Sequence, residues 1–480
     1  MNVSHALFNR TKIIATIGPA TSDITMLRAI ISEGVDVCRL NFSHGSYDDH
    51  EQVIKNIRQI NDENPENPVA MLLDLQGPKL RVGVMQGGKV QLVPDSMITV
   101  TTRDVEGTST CISVKFPTLP SDIKPGEIIL LDDGKLELVA ISSNGVDEIS
   151  CKVITGGWLS SKKGFNLPQT NVSVPALTEK DRNDLEFGLN MQVDWIGLSF
   201  VRKAEDILEL KAIIEKHDWK PRVIAKIEKP EALDNLEEII NVTDAVMVAR
   251  GDLGVEMPME KVPVIQKRIV KQCYEAGKPV IIATQMMESM ISNASPTRAE
   301  VNDVANAVMD GADAVMLSAE TSVGSYPVLA VRSMRKAIAE AEHTNAPYFK
   351  GKRPNPNSAT FLSDELCFTA VSMSNHLKAS AIVGMTFSGY TAYKISSFRP
   401  KAMIYIFTGN KRLLTTLSLV WGVRAFYYKS FEGTDESIQD VNNILLKKGL
   451  VQKGDIIINT ASMPIKERAR TNTIKVSEMR

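Results

Sequence analysis

Eight short apolar runs, each followed by an amphipathic segment, constrain the fold of this chain more than any other feature. They are KIIATIG from Lys12, DVCRLNFS from Asp36, VAMLLDL from Val69, WIGLSF from Trp195, VIAKIE from Val223, AVMVARGD from Ala245, PVIIATQ from Pro279 and AVMLSAE from Ala314. Each is too apolar on both faces for a half-exposed antiparallel strand and fits a strand buried between layers. The segments between them have helical spacing and recognisable ends. One starts near Asp23 and stops near Gly34, and AEDILELKAIIEKH from Ala204 sets Ile207, Leu210, Ile213 and Ile214 on one face. A third, AEVNDVANAVMDG from Ala299, closes on Gly311 as a C-cap. Eight strand-then-helix units predict an α/β chain built on a (β/α)8 TIM barrel. An open doubly wound sheet is the alternative, and unbroken alternation favours closure.

Two regions break the rhythm. From about Gly83 to Val174 the helical period disappears, and Gly, Pro, Asp, Ser and Thr clusters bound the runs VQLV, MITVTT, EIILL, LELVAI and ISCKVIT. That pattern predicts a small all-β domain inserted in a barrel loop. After His343 the Pro-, Asn- and Lys-rich stretch TNAPYFKGKRPNPNSA reads as a linker, and AIVGMTF, AMIYIFT and DIIINTA then alternate with helices as an open α/β domain. The 480 residues therefore divide into a barrel at 1–82 and 175–343, an inserted β lid at 83–174, and a C-terminal α/β domain at 344–480.

Charge and cysteine usage narrow the class. Lys plus Arg number 55 against 57 Asp plus Glu, a formal net charge of −2, so no broad surface attracts nucleic acid or an anionic membrane. No apolar run approaches a membrane span, and Gly18-Pro19 cuts short the only N-terminal apolar stretch, which argues against a signal peptide. Cys38, Cys111, Cys151, Cys273 and Cys367 are odd in number and lack metal spacing, so reduced, mostly buried thiols are expected. These features fit a cytoplasmic protein.

In such a barrel, functional side chains gather at the C-terminal ends of the strands. There polar residues recur in i, i+2 pairs, which on a strand point the same way. The pairs are Arg39 and Asn41 with Ser43 next in phase, Asp74 and Gln76, Lys226 and Glu228, Arg250 and Asp252, and Ser318 and Glu320. Ser199 and Thr284 hold comparable single positions. One pair alone reads as a structural ion pair. Five at one barrel end predict a shared polar ligand, because polar groups are costly to bury without partners. Glu228 and Asp252 are hard oxygen donors suited to Mg2+, or Mn2+, completed by substrate and water. Lys226, Arg39 and Arg81 supply positive charge for a phosphate or a developing enolate. Gly251 and Gly254 let backbone N–H groups approach an anion in the RGDLG turn. No GxxxxGK[ST] occurs, which excludes a P-loop, and His44 and His50, six apart, do not share a helical face for a metal.

These residues lie in segments that resemble the pyruvate kinase family over essentially the whole chain. The matching stretches are TKIIATIGPAT at Thr11, CRLNFSHGS at Cys38, DLQGPKLRVG at Asp74, KKGFNLP at Lys162, LSFVRKAED at Leu198, IAKIEKPEA at Ile224, VMVARGDLGVE at Val246, ATQMMESM at Ala283 and PTRAEVNDVANAVMDGADAVMLSAETSVGSYP at Pro296. The resemblance implies transfer of a phosphoryl group from phosphoenolpyruvate to ADP, giving pyruvate and ATP through an enolate. It implies Glu228 and Asp252 as Mg2+ ligands and Lys226 as the group that stabilises the transferring phosphoryl and the enolate. Gly251, Asp252 and Thr284 would form the carboxylate corner with Ser199 nearby, and Thr284 would support protonation with Ser318 and Glu320. Arg39 and Arg81 would clamp phosphate, and Pro19, Asn41, His44, Tyr47, Arg81 and the lid's Lys163 would meet the nucleotide. A homotetramer regulated by a phosphorylated metabolite is also implied.

Two departures from the family are informative. Where members commonly read DTKGPEIRT and bind K+, this chain has Lys79 in place of the glutamate, with Leu75, Gln76 and Val82 around it. A fixed ammonium can take the part of a monovalent cation, so activity without K+ is expected, with Lys79 filling the region of Asn41, Ser43, Asp74 and Leu75. In the C-terminal domain Thr386, Ser388, Gly389 and Thr391 resemble the family's effector loop, but Tyr390 stands where a basic residue is common. Lys466, Arg468 and Arg470 are the nearest candidates for the missing charge. Two other readings stay in play: another phosphoenolpyruvate or pyruvate barrel, which would need neither lid nor Lys163, and a non-catalytic sugar-phosphate sensor, which would need a lost catalytic position.

Overall fold

The computed structural model describes residues 8–170, 175–430, 433–464, 467 and 469–480. Eight parallel strands, Lys12–Ile17, Val37–Asn41, Ala70–Asp74, Trp195–Leu198, Arg222–Ile227, Ala245–Ala249, Val280–Ala283 and Ala314–Leu317, close into a barrel. Each pairs with its neighbours in chain order, and the first strand pairs with both the second and the eighth, which excludes the open sheet.

Strand periodicity explains both core and site. Residues two apart share a face, and the inward phase is apolar in the lower half of the barrel: Ile14, Val37, Leu72, Trp195, Ile224, Met247, Ile281 and Met316 form one buried cluster. Continued upward, the same phase carries Thr16, Arg39, Asp74, Ser199, Lys226 and Glu228. The opposite phase packs against the helices, and helix ends follow from local chemistry. Asp23 accepts the N–H groups of Thr25 and Met26, Thr178 and Asp181 form a capping box, and Gly311 at φ +107° ends the helix Arg298–Asp310. Ile207, Leu210 and Ile214 are buried on the helix Ala204–Ile214, with Ile213 at its margin.

The insertion is all-β apart from short turns of helix. Lys89–Leu92 pairs with Gly157–Ser160, and a six-stranded sheet runs in the order Phe165–Asn166, Ile128–Leu131, Leu136–Ser143, Glu148–Thr155, Met97–Thr101, Cys111–Ser113. The five runs expected as strands are strands. Cys111–Ser113, Gly157–Ser160 and Phe165–Asn166 are not legible in the sequence, because two to four residues show no period. The C-terminal sheet runs Val423–Tyr427, Met403–Thr408, Ala381–Met385, Ile456–Ala461, Thr473–Glu478, its last strand antiparallel. All five cysteines are free thiols.

The C-terminal domain docks under the barrel, opposite the site. Leu419 joins the barrel's inner cluster. The Arg399 guanidinium, 1% exposed, takes both oxygens of Asp313 at 2.8 and 3.1 Å. A second seam joins Asp194 to the Thr415 hydroxyl and to the Met71 N–H, 2.7 Å away. Burial pushes the Asp194 carboxyl up to about 6 against those hydrogen bonds and the Arg58 charge. Its unfolded value is about 3.9. Between about pH 4 and 6 the folded chain therefore holds a proton that the unfolded chain has released, and stability falls as pH rises through that window, by up to about 3 kcal/mol. Asp194→Asn is expected to flatten that decline when urea midpoints at pH 4.5 and pH 7 are compared. An unchanged decline contradicts the assignment.

Candidate active site

Lys226 is the hub of the barrel mouth. Its ammonium lies 3.0 Å from Glu228 Oε1 and 3.1 Å from Asp74 Oδ1, and it donates to Ser199 Oγ at 2.7 Å. The Ser199 hydroxyl donates in turn to the Leu75 carbonyl. Asp74 Oδ2 accepts Arg39 Nε at 2.7 Å, and Arg39 also donates to Thr16 Oγ1 at 2.9 Å. Asp74 and Glu228 are 1% exposed, Lys226 8% and Arg39 9%, so the network is a buried lattice of alternating charge. Burial works against the Lys226 ammonium, but Asp74 and Glu228 outweigh it and hold its pKa above that of an ordinary lysine. Burial likewise opposes ionisation of Asp74, and Lys226 and Arg39 overcome it, so its pKa is lowered. For Glu228, burial wins and its pKa is raised, with the Lys226 ammonium pulling the other way.

Two contacts here go beyond the positions expected from the sequence. Phe200, at φ +55°, donates its N–H to Glu228 Oε2 at 2.8 Å, and Thr16 props Arg39. Phe200 depends on a turn geometry that no motif encodes, whereas Thr16 is legible as the inward residue two beyond Ile14.

Beyond the sixth strand the strand-based pairing fails. The strand ends at Ala249, and Arg250–Glu256 is a short helix, so Arg250 and Asp252 diverge by about 200°. Arg250 turns away to Asp303, at 2.7 and 2.8 Å, and to the Thr284 carbonyl. Asp252 stays at the mouth, with its Oδ1 3.0 Å from Lys79 Nζ. Thr284 sits at φ +70°, a conformation that costs a β-branched residue about 1–3 kcal/mol. Its Oγ1 accepts the Gly251 N–H at 2.7 Å, so that amide already has a partner within the chain. Ser318 and Glu320 are likewise not a strand pair: Glu320 lies in a turn of helix, and its carboxylate takes the N–H groups of Ser318 and Met287. Burial raises the Glu320 pKa.

The remaining expected positions are held by other contacts. Arg81 is on the lid stem and donates to the Lys162 carbonyl, and Lys163 pairs with Asp132 at 2.9 Å. Pro19 and His44 are exposed. Tyr47 donates to Asp184 at 2.8 Å and stacks on Phe187. Asn41 Oδ1 accepts the Ser43 N–H, and Leu75 is buried. Lys79 does not reach Asn41, Ser43 or Asp74 by any hydrogen bond or ion pair among the described residues; its ammonium faces Asp252 instead, and Asp74 is neutralised by Arg39 and Lys226. In the C-terminal loop Thr386 Oγ1 accepts the Gly389 N–H, and Ser388 accepts that of Tyr390. Thr391 is buried, with its hydroxyl against that of Thr471 at 2.7 Å. Arg470 donates to the Ala359 carbonyl, and Lys466 and Arg468 lie outside the described residues.

Glu228 and Asp252 supply two carboxylates, the number that suits Mg2+ when substrate and water complete its shell. Glu228 meets the Lys226 ammonium and the Phe200 N–H, Asp252 is the more exposed of the two, and both carboxylates are at the mouth, so the donor set fits that ion.

Comparison with known proteins converges on one family. Residues 8–331 match the family described as "Pyruvate kinase, barrel domain", and residues 364–477 match "Pyruvate kinase, alpha/beta domain". The chain is 43% identical over 467 residues to the pyruvate kinase of Corynebacterium glutamicum, covering 97% of each. It is 42% identical over 472 residues to that of Geobacillus stearothermophilus, covering 97% of this chain and 80% of that one. Its fold superposes on the crystal structure of a pyruvate kinase from Cryptosporidium parvum with a TM-score of 0.92 at 34% identity, over 98% of this chain and 96% of the other. With a closed barrel and charged mouth, an inserted β domain and a C-terminal α/β domain, matched over 97% of its length by such a relative, the chain belongs to the pyruvate kinase family.

Proposed function

We propose that this chain transfers the phosphoryl group of phosphoenolpyruvate to ADP, releasing ATP and, after protonation of the enolate, pyruvate. The observation that carries the reading is the Lys226 ammonium, buried between Asp74 and Glu228 and kept charged by them. A phosphoryl group in transfer spreads charge over its oxygens, so catalysis is positioning and electrostatics. Lys226 and Arg39 face that charge from a water-poor mouth, where a fixed cation acts strongly. Glu228 and Asp252 would hold Mg2+, which when bound neutralises phosphoryl and enolate oxygens. Thr284 and Ser318 would guide the proton to the enolate carbon, and the raised pKa of Glu320 suits a group that holds a proton for such a relay. Arg81 and Lys163, both at the lid's stems, would meet the nucleotide when the lid closes and excludes water.

The same reading includes activity without K+. The Lys79 ammonium, fixed on Asp252, supplies a built-in positive charge at the mouth. A phosphorylated effector at Thr386, Ser388 and Gly389, and assembly as a homotetramer in the cytoplasm, complete the proposal. With pyruvate release followed in a tetraalkylammonium buffer, we expect adding K+ to change the rate less than about twofold and Lys79→Glu to create a K+ requirement of about tenfold or more. Strong K+ activation of the unsubstituted chain contradicts K+ independence, and a sugar-phosphate panel that leaves substrate saturation unchanged contradicts the effector loop.

A further inference from the structure

We propose that Asn166 and Glu256 form a positioning latch through which the lid sets the pose of the helix carrying Asp252. The proposal rests on the reading above that Asp252 and Glu228 hold the divalent cation beneath a lid.

The lid leaves the barrel through Leu80–Val82 and returns through Lys163–Leu167, and the two stems are joined by hydrogen bonds from Val82 N–H to the Lys163 carbonyl at 2.9 Å and from Phe165 N–H to the Leu80 carbonyl at 3.1 Å. Asn166 belongs to the lid's own sheet, where it pairs with Leu130, so it moves with the lid. Its side-chain amide nevertheless donates to Glu256 Oε1, on the barrel, at 2.8 Å. Glu256 is 2% exposed, and the same Oε1 meets Lys229 Nζ at 2.8 Å. Its Oε2 is buried with no hydrogen-bond partner among the described residues.

Position makes this contact more than a hinge fastening. Glu256 and Asp252 are four residues apart on one short helix, hence on one face. Lys229 directly follows Glu228 in the chain. The latch therefore touches the helix of one proposed metal carboxylate and the loop of the other. The second stem is tied to the same helix, because Lys79 on the outgoing segment pairs with Asp252 at 3.0 Å. The two lid stems grip successive turns of a helix of seven residues, which is too short to absorb a displacement at one end without passing it to the other. Rotation of the lid is thereby coupled to where the Asp252 carboxylate points. Residues that orient a ligand in this way typically change activity by about 10- to 100-fold when altered.

The test reverses the polarity of the contact. Asn166→Asp sets a carboxylate against Glu256 and, by repulsion, should release the latch. Adding Glu256→Gln restores a hydrogen bond with donor and acceptor exchanged, keeps the net charge, and leaves one carboxylate in the cluster to face Lys229. Two readouts are taken on the full chain: kcat/KM for ADP, and amide hydrogen exchange at Val82 and Phe165 without substrate. Asn166→Asp is expected to lower kcat/KM and to speed exchange by about tenfold or more, and the double variant to recover both to within about threefold. A double variant no better than Asn166→Asp, or Asn166→Asp indistinguishable from the unsubstituted chain in both readouts, overturns the latch. If the unsubstituted chain makes no pyruvate, the functional reading fails, while the exchange arm, which needs no substrate, still decides the latch.

Discussion

Replacing Lys226 with Met is expected to lower kcat by about 10^3-fold or more. The ammonium is buried in the mouth, and it contributes both charge and hydrogen-bond donors in a site where neither is screened by bulk water. Losing it removes an interaction that strengthens as charge develops on the phosphoryl and enolate oxygens, so the loss appears in kcat. Binding of phosphoenolpyruvate and Mg2+, measured by calorimetry, should change far less, because Arg39, Glu228 and Asp252 remain. The folded state is weakened separately: Asp74 and Glu228 lose a shared buried counter-ion, and breaking such a pair costs about 3–5 kcal/mol. Thermal unfolding of the variant distinguishes that loss from the catalytic one, since a folded variant at saturating substrate still turns over slowly. A variant with unimpaired kcat would remove Lys226 from the chemistry.

Replacing Asp74 with Asn carries the second large effect. Asp74 is the anion shared by Arg39 and Lys226, and without it two cations face each other in a buried site. We expect kcat/KM for phosphoenolpyruvate to fall by about 100-fold and stability by about 3–5 kcal/mol. The pH profile adds a signature that simple destabilisation would not produce. Asp74 is the first of the charges that raise the Lys226 pKa, so removing it lowers that pKa. An ammonium with a lower pKa deprotonates sooner as pH rises, and the alkaline limb of kcat/KM should move to lower pH. An alkaline limb left in place would show that the ionisation of Lys226 does not govern it.

Much of this arrangement is legible in the strand phase. Ile224, Lys226 and Glu228 alternate on one face, and closure of the barrel turns that face inward, so core below and charge above follow from one period. The same rule misleads where its premise ends. Arg250 and Asp252 have the spacing of a strand pair, but the chain turns helical after Ala249, and Arg250 supports the Thr284 turn from outside. Lys79 is legible as an unusual cation but not by its partner, because Asp252 lies 173 residues away in the chain. Asp74 reads as part of a cation-binding region, and its place between Arg39 and Lys226 depends on the curvature of the barrel, which brings side chains of the third and fifth strands together although another strand lies between them. Thr391 matches a loop motif, yet its hydroxyl is buried against Thr471, a contact 80 residues distant. Glu256, Asn166 and Lys229 each lie in a stretch that resembles the family, but their mutual contact is not legible, since they come from three separate segments.

The geometry of the Lys226 network predicts transfer of a phosphoryl group from phosphoenolpyruvate to ADP. Phosphorus NMR of the purified chain with phosphoenolpyruvate, ADP and Mg2+ tests it most directly. The phosphoenolpyruvate resonance is expected to be replaced by those of ATP, with pyruvate formed in equal amount, and chelating the divalent cation is expected to stop the conversion. Phosphoenolpyruvate left intact beside unphosphorylated ADP, or consumed with release of inorganic phosphate and no ATP, would contradict it.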